Sequence, residues 1–319
     1  MNQMRPWIML AFVPAIFVLF GCVNRRNTIV VGSKNFPEQA ILGEILAQQI
    51  ETQTGLRVER RFYLSGTYIC HQALLAGRID MYVEYTGTAL TAILKKPPFS
   101  DSRAVFDEVR EGYVQRFGLV VEPPLGFNDS FAIVVRADDA RRYGIHTISD
   151  AAKYTPLWRP GFGYEFQERP DGYDGLVKDY GLKFAAAPRI MDLGLLYRAL
   201  LARQVDVVAG NTTDGQLVIG AFTVLTDDKH YFPPYQAVPV VRSEVLQQHP
   251  EIANALIDLS GKISDKDMQQ MNYEVIGQHK DTASVAREFL RAQYLNNAFA
   301  LTGAVPSKTN QGRARGVGR

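Results

Sequence analysis

The first patterned stretch of the chain is TIVVGS, Thr28 to Ser33, an apolar, β-rich run closed by turn-forming residues, and it predicts a strand. FPEQAILGEILAQQIETQTG follows with Ile41, Leu42, Ile45, Leu46 and Ile50 at the three-four spacing of an amphipathic helix, and Gly55 stands where such a helix stops. LRVERRFYL alternates at Leu56, Val58 and Arg60 and reads as a second strand. TYICHQALLAG predicts a helix ending at Gly77, and IDMYVEY a third strand. Strand, helix, strand, helix, strand at this pitch builds a parallel sheet with helices on its faces. Ligands gather at the carboxyl ends of such strands, which is where GSKNFPEQ and EYTGT fall.

The middle of the chain keeps this α/β style. A helix is predicted near SRAVFDEVREGYVQRFG, a strand at Phe131 to Arg136, and a helix start at which Thr147 or Ser149 supplies the N-cap. Strands are expected near LKFAA and VDVVAGN with the helix MDLGLLYRALLAR between them. VLTDDKHYFPPYQAVPVVR runs extended, since Pro233 and Pro234 exclude a helix. From Ser243 onward the pattern is mainly helical, and the tail, residues 301–319, reads as disordered. The two extended segments around LGFNDSFAIVV and YFPPYQAVPVV suggest that the chain crosses twice between two lobes, and a double crossing makes a hinge with a cleft beneath it.

Composition narrows the function classes. The 319 residues are 46% hydrophobic, enough for a real core, and 35 Lys and Arg against 33 Asp and Glu leave a formal charge of +2. No basic field argues for nucleic acid. At the N-terminus, Arg5 precedes an apolar run from Trp7 to Phe20 that ends in Gly21 and Cys22. The run is short for a hydrocarbon core of ~30 Å and suits a secretory signal, residues 1–22, either removed or kept as an anchor. Leu19-Phe20-Gly21-Cys22 resembles a bacterial lipobox, which makes Cys22 the lipidation candidate and places the remainder in the periplasm or on the outer face of the cytoplasmic membrane. Cys70 then stands alone and reads as a small buried apolar residue. The five histidines show no metal-ligand spacing, so neither a metal nor any other cofactor is expected. No nucleophile elbow, phosphate loop or dinucleotide fingerprint occurs, and ERPDGYDG reads as a turn-rich surface loop rather than a catalytic pair of carboxylates. Glu84 is expected to hydrogen-bond the hinge or Lys34, Thr86 to be structural, and Thr88 to cap the helix TALTAIL.

Six collinear segments together resemble one family: VGSKNFPEQAILGEILAQ, SGTYICHQALLAGRIDMYVEYTGTALTAIL, PPLGFNDSFAIVVR, FGYEFQERPDGYDGLVKDYGLKF, TTDGQL and YFPPYQAVPVVR. The family is that of the substrate-binding proteins of ABC transporters for quaternary amines such as glycine betaine, choline and carnitine. The resemblance implies the type II periplasmic-binding-protein fold, with mixed, mostly parallel sheets in two lobes joined by a two-segment hinge. One lobe would comprise residues 28–130 plus 235–300, the other residues 131–234. It implies no enzymatic activity, and a monomer that captures its osmolyte in an aromatic cage and docks on a membrane permease driven by an ATPase. Position by position, the ligand-binding residues it implies are Gln39, Tyr85, Thr88, Phe131, Asn211 and Tyr235. Phe131 keeps a ring and lacks the hydroxyl usual there; Asn211 stands where a cage tyrosine is expected, leaving one aromatic wall absent unless Tyr164, Tyr231 or Phe232 replaces it. Each ring over a methylated cation contributes roughly 0.5 to 2 kcal/mol, so this departure points to weaker binding or a different polar solute. A sensory role through a protein partner is the rival reading.

Overall fold

The computed structural model describes residues 28–302. The expected signal segment with Cys22 and the tail beyond Thr302 lie outside the described residues. Two five-stranded sheets organise the chain. The first contains β1 (Thr28–Lys34), β2 (Arg57–Ser65), β3 (Met81–Tyr85), β4 (Leu119–Val121) and, from far later in the chain, β10 (Ala237–Arg242), in the order β2-β1-β3-β10-β4. The second contains β5 (Phe131–Arg136), β6 (Pro160–Phe162), β7 (Arg189–Ile190), β8 (Val207–Asn211) and β9 (Phe222–Val224), in the order β7-β6-β8-β5-β9. β1 pairs in parallel with β2 and β3, as the strand-helix alternation requires, whereas β10 enters between β3 and β4 antiparallel to both. The second sheet repeats this scheme: β6 is parallel to β7 and β8, and β5 is antiparallel to β8 and β9. Parallel and antiparallel pairings are therefore balanced in each sheet.

Local signals act as the sequence predicts at several element ends. The helix Pro37–Thr54 stops at Gly55, whose φ of 71° is the left-handed turn glycine adopts without strain. Thr147 caps Ile148–Ala152 through a capping box with Asp150, and Asp101 caps Ser102–Phe117 by accepting from Ala104 N at 2.8 Å. The helix Pro37–Thr54 differs from expectation in being buried nearly all round, with Glu38, Gln39, Glu44 and Gln49 inside as well as its leucines and isoleucines. The cause is tertiary: Glu251–Ile257, Asp265–Ile276 and Thr282–Thr302 pack on the face it turns away from the sheet. LKFAA is not a strand. Gly181 ends the preceding helix, Leu182 N returns to Val177 O, and pairing with β6 begins only at Arg189.

The chain passes between the sheets through residues 122–130 and 225–236. These two passages bond to each other: Asn128 bridges Gln236, Asp129 N donates to Tyr235 O at 3.0 Å, and Tyr235 N donates to Asn128 Oδ1 at 2.6 Å. The ends of β1, β3 and β8 and the start of β5 converge beside this paired crossing, and a cavity lies there.

Candidate functional site

The cavity has a volume of about 490 Å³ and draws its walls from both sheets. Tyr85, Thr88, Phe131, Asn211 and Tyr235 all line it. Gln39 does not. It is 1% exposed, set behind the Tyr85 hydroxyl, and its amide forms no hydrogen bond of good geometry. The helix that carries it is covered on both faces, so this position supports the cavity wall rather than facing solute.

Tyr85 ends β3 and is nearly buried; its hydroxyl donates to Glu38 Oε1 at 2.5 Å and Lys34 Nζ lies 4.9 Å from its ring centroid. Lys34 is itself fixed by an ion pair with Glu84 at 2.5 Å, and Glu84 also accepts from Tyr82 Oη at 3.0 Å and Tyr85 N at 2.8 Å. Glu84 thus serves Lys34, as expected, and does not reach the cavity. Thr86 ties β3 to the second passage, donating to Pro234 O and accepting from Gln236 N, both at 3.0 Å. Thr88 does not cap the helical turns after it; its hydroxyl instead accepts from Arg169 Nη1 at 2.8 Å.

Arg169 is the cavity residue that the sequence pattern conceals. The stretch ERPDGYDG is not a surface loop throughout: Arg169 and Asp171 are 5% and 1% exposed. Asp171 holds the guanidinium on two edges, with Nε to Oδ1 at 2.9 Å and Nη2 to Oδ2 at 2.5 Å, the fork geometry that makes a buried arginine tolerable. Tyr235 donates its hydroxyl to the same Asp171. Burial opposes the charge on Asp171, yet the Arg169 guanidinium and the bonds from Arg169 and Tyr235 outweigh it and hold the carboxyl below its ordinary range. The guanidinium carbon lies 4.9 Å from the Phe131 centroid and 5.5 Å from that of Tyr235, so both rings already turn a face to a cation. The only hint in the sequence is an Arg and an Asp two residues apart around Pro170.

The rings are ordered by their neighbours. Phe131 meets Phe166 edge-on at 4.9 Å, Tyr235 at 5.7 Å and Phe232 at 5.8 Å. Phe232 thereby backs Phe131 rather than entering the cavity, and Tyr231 turns to the carbonyls of Pro170 and Gly172. Of the three candidate replacements for the missing wall, only Tyr164, 70% exposed at the mouth, lines the cavity. Asn211 is half-buried and occupies the expected position without a ring.

Across the mouth, Glu165 Oε1 accepts from Thr67 N at 2.7 Å, joining the second sheet's side to the start of the helix Thr67–Leu75. Behind Tyr85 lie three acids, Glu38 and Asp129 buried and Asp214 half-buried. Burial pushes all three carboxyls up, most of all at Asp129, where the neighbouring Glu38 adds to it. Burial also pushes the Cys70 thiol up to about 12, which removes it from redox chemistry. The cavity therefore joins the rings of Tyr85, Phe131 and Tyr235 to Lys34, Arg169 and Thr88, with Asp129, Glu165, Glu168 and Asp192 also in its walls. Such a set suits the binding of a solute.

Comparison with known proteins agrees with this geometry. Residues 27–292 match the family described as the substrate binding domain of ABC-type glycine betaine transport systems. A carnitine transport binding protein of Listeria monocytogenes is 36% identical over 278 residues, covering 86% of this chain and 89% of that protein. A glycine-betaine-binding protein of Pseudomonas aeruginosa is 36% identical over 281 residues, 85% of this chain and 89% of the relative. An ergothioneine transport permease and binding protein of Helicobacter pylori is 34% identical over 290 residues, 91% of this chain and 52% of that protein. Among solved structures, a glycine betaine/carnitine/choline ABC transporter protein superposes with a TM-score of 0.71 at 35% identity, over 83% of this chain and 98% of the other. The match spans the sheets, both passages and every wall of the cavity, and the chain belongs to the family of solute-binding proteins that serve ABC importers of the glycine betaine type.

Proposed function

We propose that the chain captures a zwitterionic quaternary amine, with glycine betaine and carnitine ahead of choline, from outside the cytoplasm and hands it to a membrane permease powered by an ATPase. One observation carries the reading: a single cavity sets the rings of Tyr85, Phe131 and Tyr235 beside Lys34, Arg169 and Thr88. A methylated ammonium donates no hydrogen bond, so ring faces and exclusion of water are what hold it. A carboxylate at the other end of the ligand can join the Lys34–Glu84 and Arg169–Asp171 pairs as a further acceptor beside the Thr88 hydroxyl, whereas the hydroxyl of choline brings no charge to them. The lobes of this reading are residues 28–130 plus 235–300 and residues 131–234, closing about the paired passages. Contacts made to both lobes at once favour the closed form, the form that docks on the permease. Cys22 supplies the lipid anchor in the same scheme, and mass spectrometry of membrane-extracted protein tests it.

Asn211 favours a second solute within this class, a betaine with a larger polar or heterocyclic substituent; the Helicobacter relative is named for such a compound. A titration-calorimetry panel of glycine betaine, choline, carnitine, proline betaine, ergothioneine and ordinary amino acids separates the readings. Tyr85→Ala is expected to abolish binding of every quaternary amine. Retention of wild-type affinity in that variant rejects the cage.

A further inference from the structure

Asp129 stands on the first passage between the sheets and also lines the cavity, yet it is 5% exposed and no lysine or arginine among the described residues pairs with it. Thr213 N donates to its Oδ1 at 3.4 Å, and the contact that the same oxygen makes with Thr213 Oγ1 is short of a hydrogen. Thr213 Oγ1 lies 2.5 Å from Glu38 Oε2 and 2.6 Å from Asp129 Oδ1, both lengths of strong charge-assisted bonds, and a hydroxyl has one hydrogen to give. One of the two carboxyls must therefore supply a proton to the other contact. Glu38 already accepts from Tyr85 Oη on Oε1 and from Asn272 Nδ2 at 2.8 Å on Oε2, so it is the better satisfied of the two as a carboxylate. The added hydrogen belongs on Asp129.

We propose that Asp129 stands in the cavity wall as a neutral carboxylic acid, its proton given to Thr213 Oγ1 and so shared with Glu38, and that this neutrality is what admits the anionic end of a zwitterionic ligand. The inference rests on the zwitterion reading above and adds the residue that sets its selectivity. Burial and the charges of Glu38 and Asp214 favour the neutral form and outweigh the Thr213 hydroxyl and backbone N–H, which favour the ionised one. Glu38 approaches from the helix Pro37–Thr54, Asp214 from the turn after β8, and Tyr85 and Tyr197 from the end of β3 and the helix Leu193–Leu201. The two cations that share the cavity wall with it are already committed, Lys34 to Glu84 and Arg169 to Asp171. Burial and the charge on Glu38 act in the same direction. If Asp129 ionised, its charge would repel a ligand carboxylate and attract a bare ammonium, turning the preference from glycine betaine toward choline.

The test combines spectroscopy with binding. Infrared difference spectra of the unliganded wild type and Asp129→Asn, both verified as folded by circular dichroism, are expected to show the carbonyl stretch of a protonated carboxyl at neutral pH in the wild type alone. The pH is then raised until that band is lost. Across the same range the ratio of glycine betaine to choline affinity is expected to fall in the wild type, by up to about tenfold per pH unit beyond the titration, and to stay level in Asp129→Asn. Absence of the band in the wild type overturns the proposal, as does a ratio that stays level while the band disappears, or one that falls equally in Asp129→Asn. The band is read without ligand, so a protein that binds no quaternary amine would refute the zwitterion reading while leaving the protonation measured.

Discussion

At the scale of single residues, the site is a set of partners that only long-range contact could assemble. Phe131 and Asn211 are opposite one another in the antiparallel pair β5 and β8, so their side chains share one face and both meet the cavity. A ring at position 211 would therefore stand beside Phe131, and Asn211→Tyr is expected to tighten glycine betaine binding by up to about tenfold in calorimetry. Weaker binding would mean that the amide itself touches the ligand. Arg169→Ala removes the partner of buried Asp171 and the bond to Thr88, a loss of about 2–5 kcal/mol for a buried hydrogen-bonded charge pair. The effect should be larger for glycine betaine than for choline; equal losses would reduce Arg169 to a packing role. Tyr85, Thr88, Phe131, Asn211 and Tyr235 were legible because they sit in recognisable motifs at strand ends. Arg169 and Asp171 were not, because Arg-Pro-Asp-Gly is turn chemistry taken alone, and what buries it is 81 residues away at Thr88.

At the scale of elements, the two sheets communicate across the mouth through one helix end. Thr67–Leu75 begins at Gly66 with no side-chain cap of its own, and Glu165 from Tyr164–Glu168 takes that role. A β-carbon at Gly66 would push the Glu165 carboxylate out of this contact. Glu165→Ala is expected to cost the closed form about 1 kcal/mol, roughly a fivefold loss of ligand affinity, with a larger radius of gyration by small-angle scattering in subsaturating ligand. Gly66→Ala should act in the same direction by blocking the approach. An unchanged affinity in both variants would assign the contact no part in closure. Helix existence and several caps followed from the local pattern. The position of β7 and the all-round burial of Pro37–Thr54 did not, because each depends on which distant element covers a face.

At the scale of the whole molecule, the acids behind Tyr85 contribute to stability with a definite sign against pH. Glu38, Asp129 and Asp214 have raised carboxyl pKa values, so the folded chain keeps protons that the unfolded chain releases above about pH 4. Their contribution is fully present below that value and is lost as pH climbs through the raised values. Asp171 and Asp206, held low by arginines against their burial, act oppositely and lose their contribution as pH falls below about 4. Scanning calorimetry of the unliganded wild type and Asp129→Asn across this range should therefore show the wild type losing stability relative to the variant as pH rises from about 4. A wild type that gains on the variant as pH rises would contradict the sign. The same loss of protons is expected to be shallower in Asp129→Asn.

The chain's own pattern determined the α/β alternation, the two extended passages and the motif positions at strand ends, because periodicity, turn residues and caps act within a few neighbours. It also carried the family likeness that the comparisons bear out. Only the tertiary structure decided that Gln39 stands behind the wall, that Arg169 lies against two rings, and that Glu38, Thr213 and Asp129 meet with one hydrogen too few. Those outcomes turn on charges and hydrogen-bond counts among residues brought from opposite ends of the chain, and no local pattern encodes how many donors will arrive at a buried carboxylate.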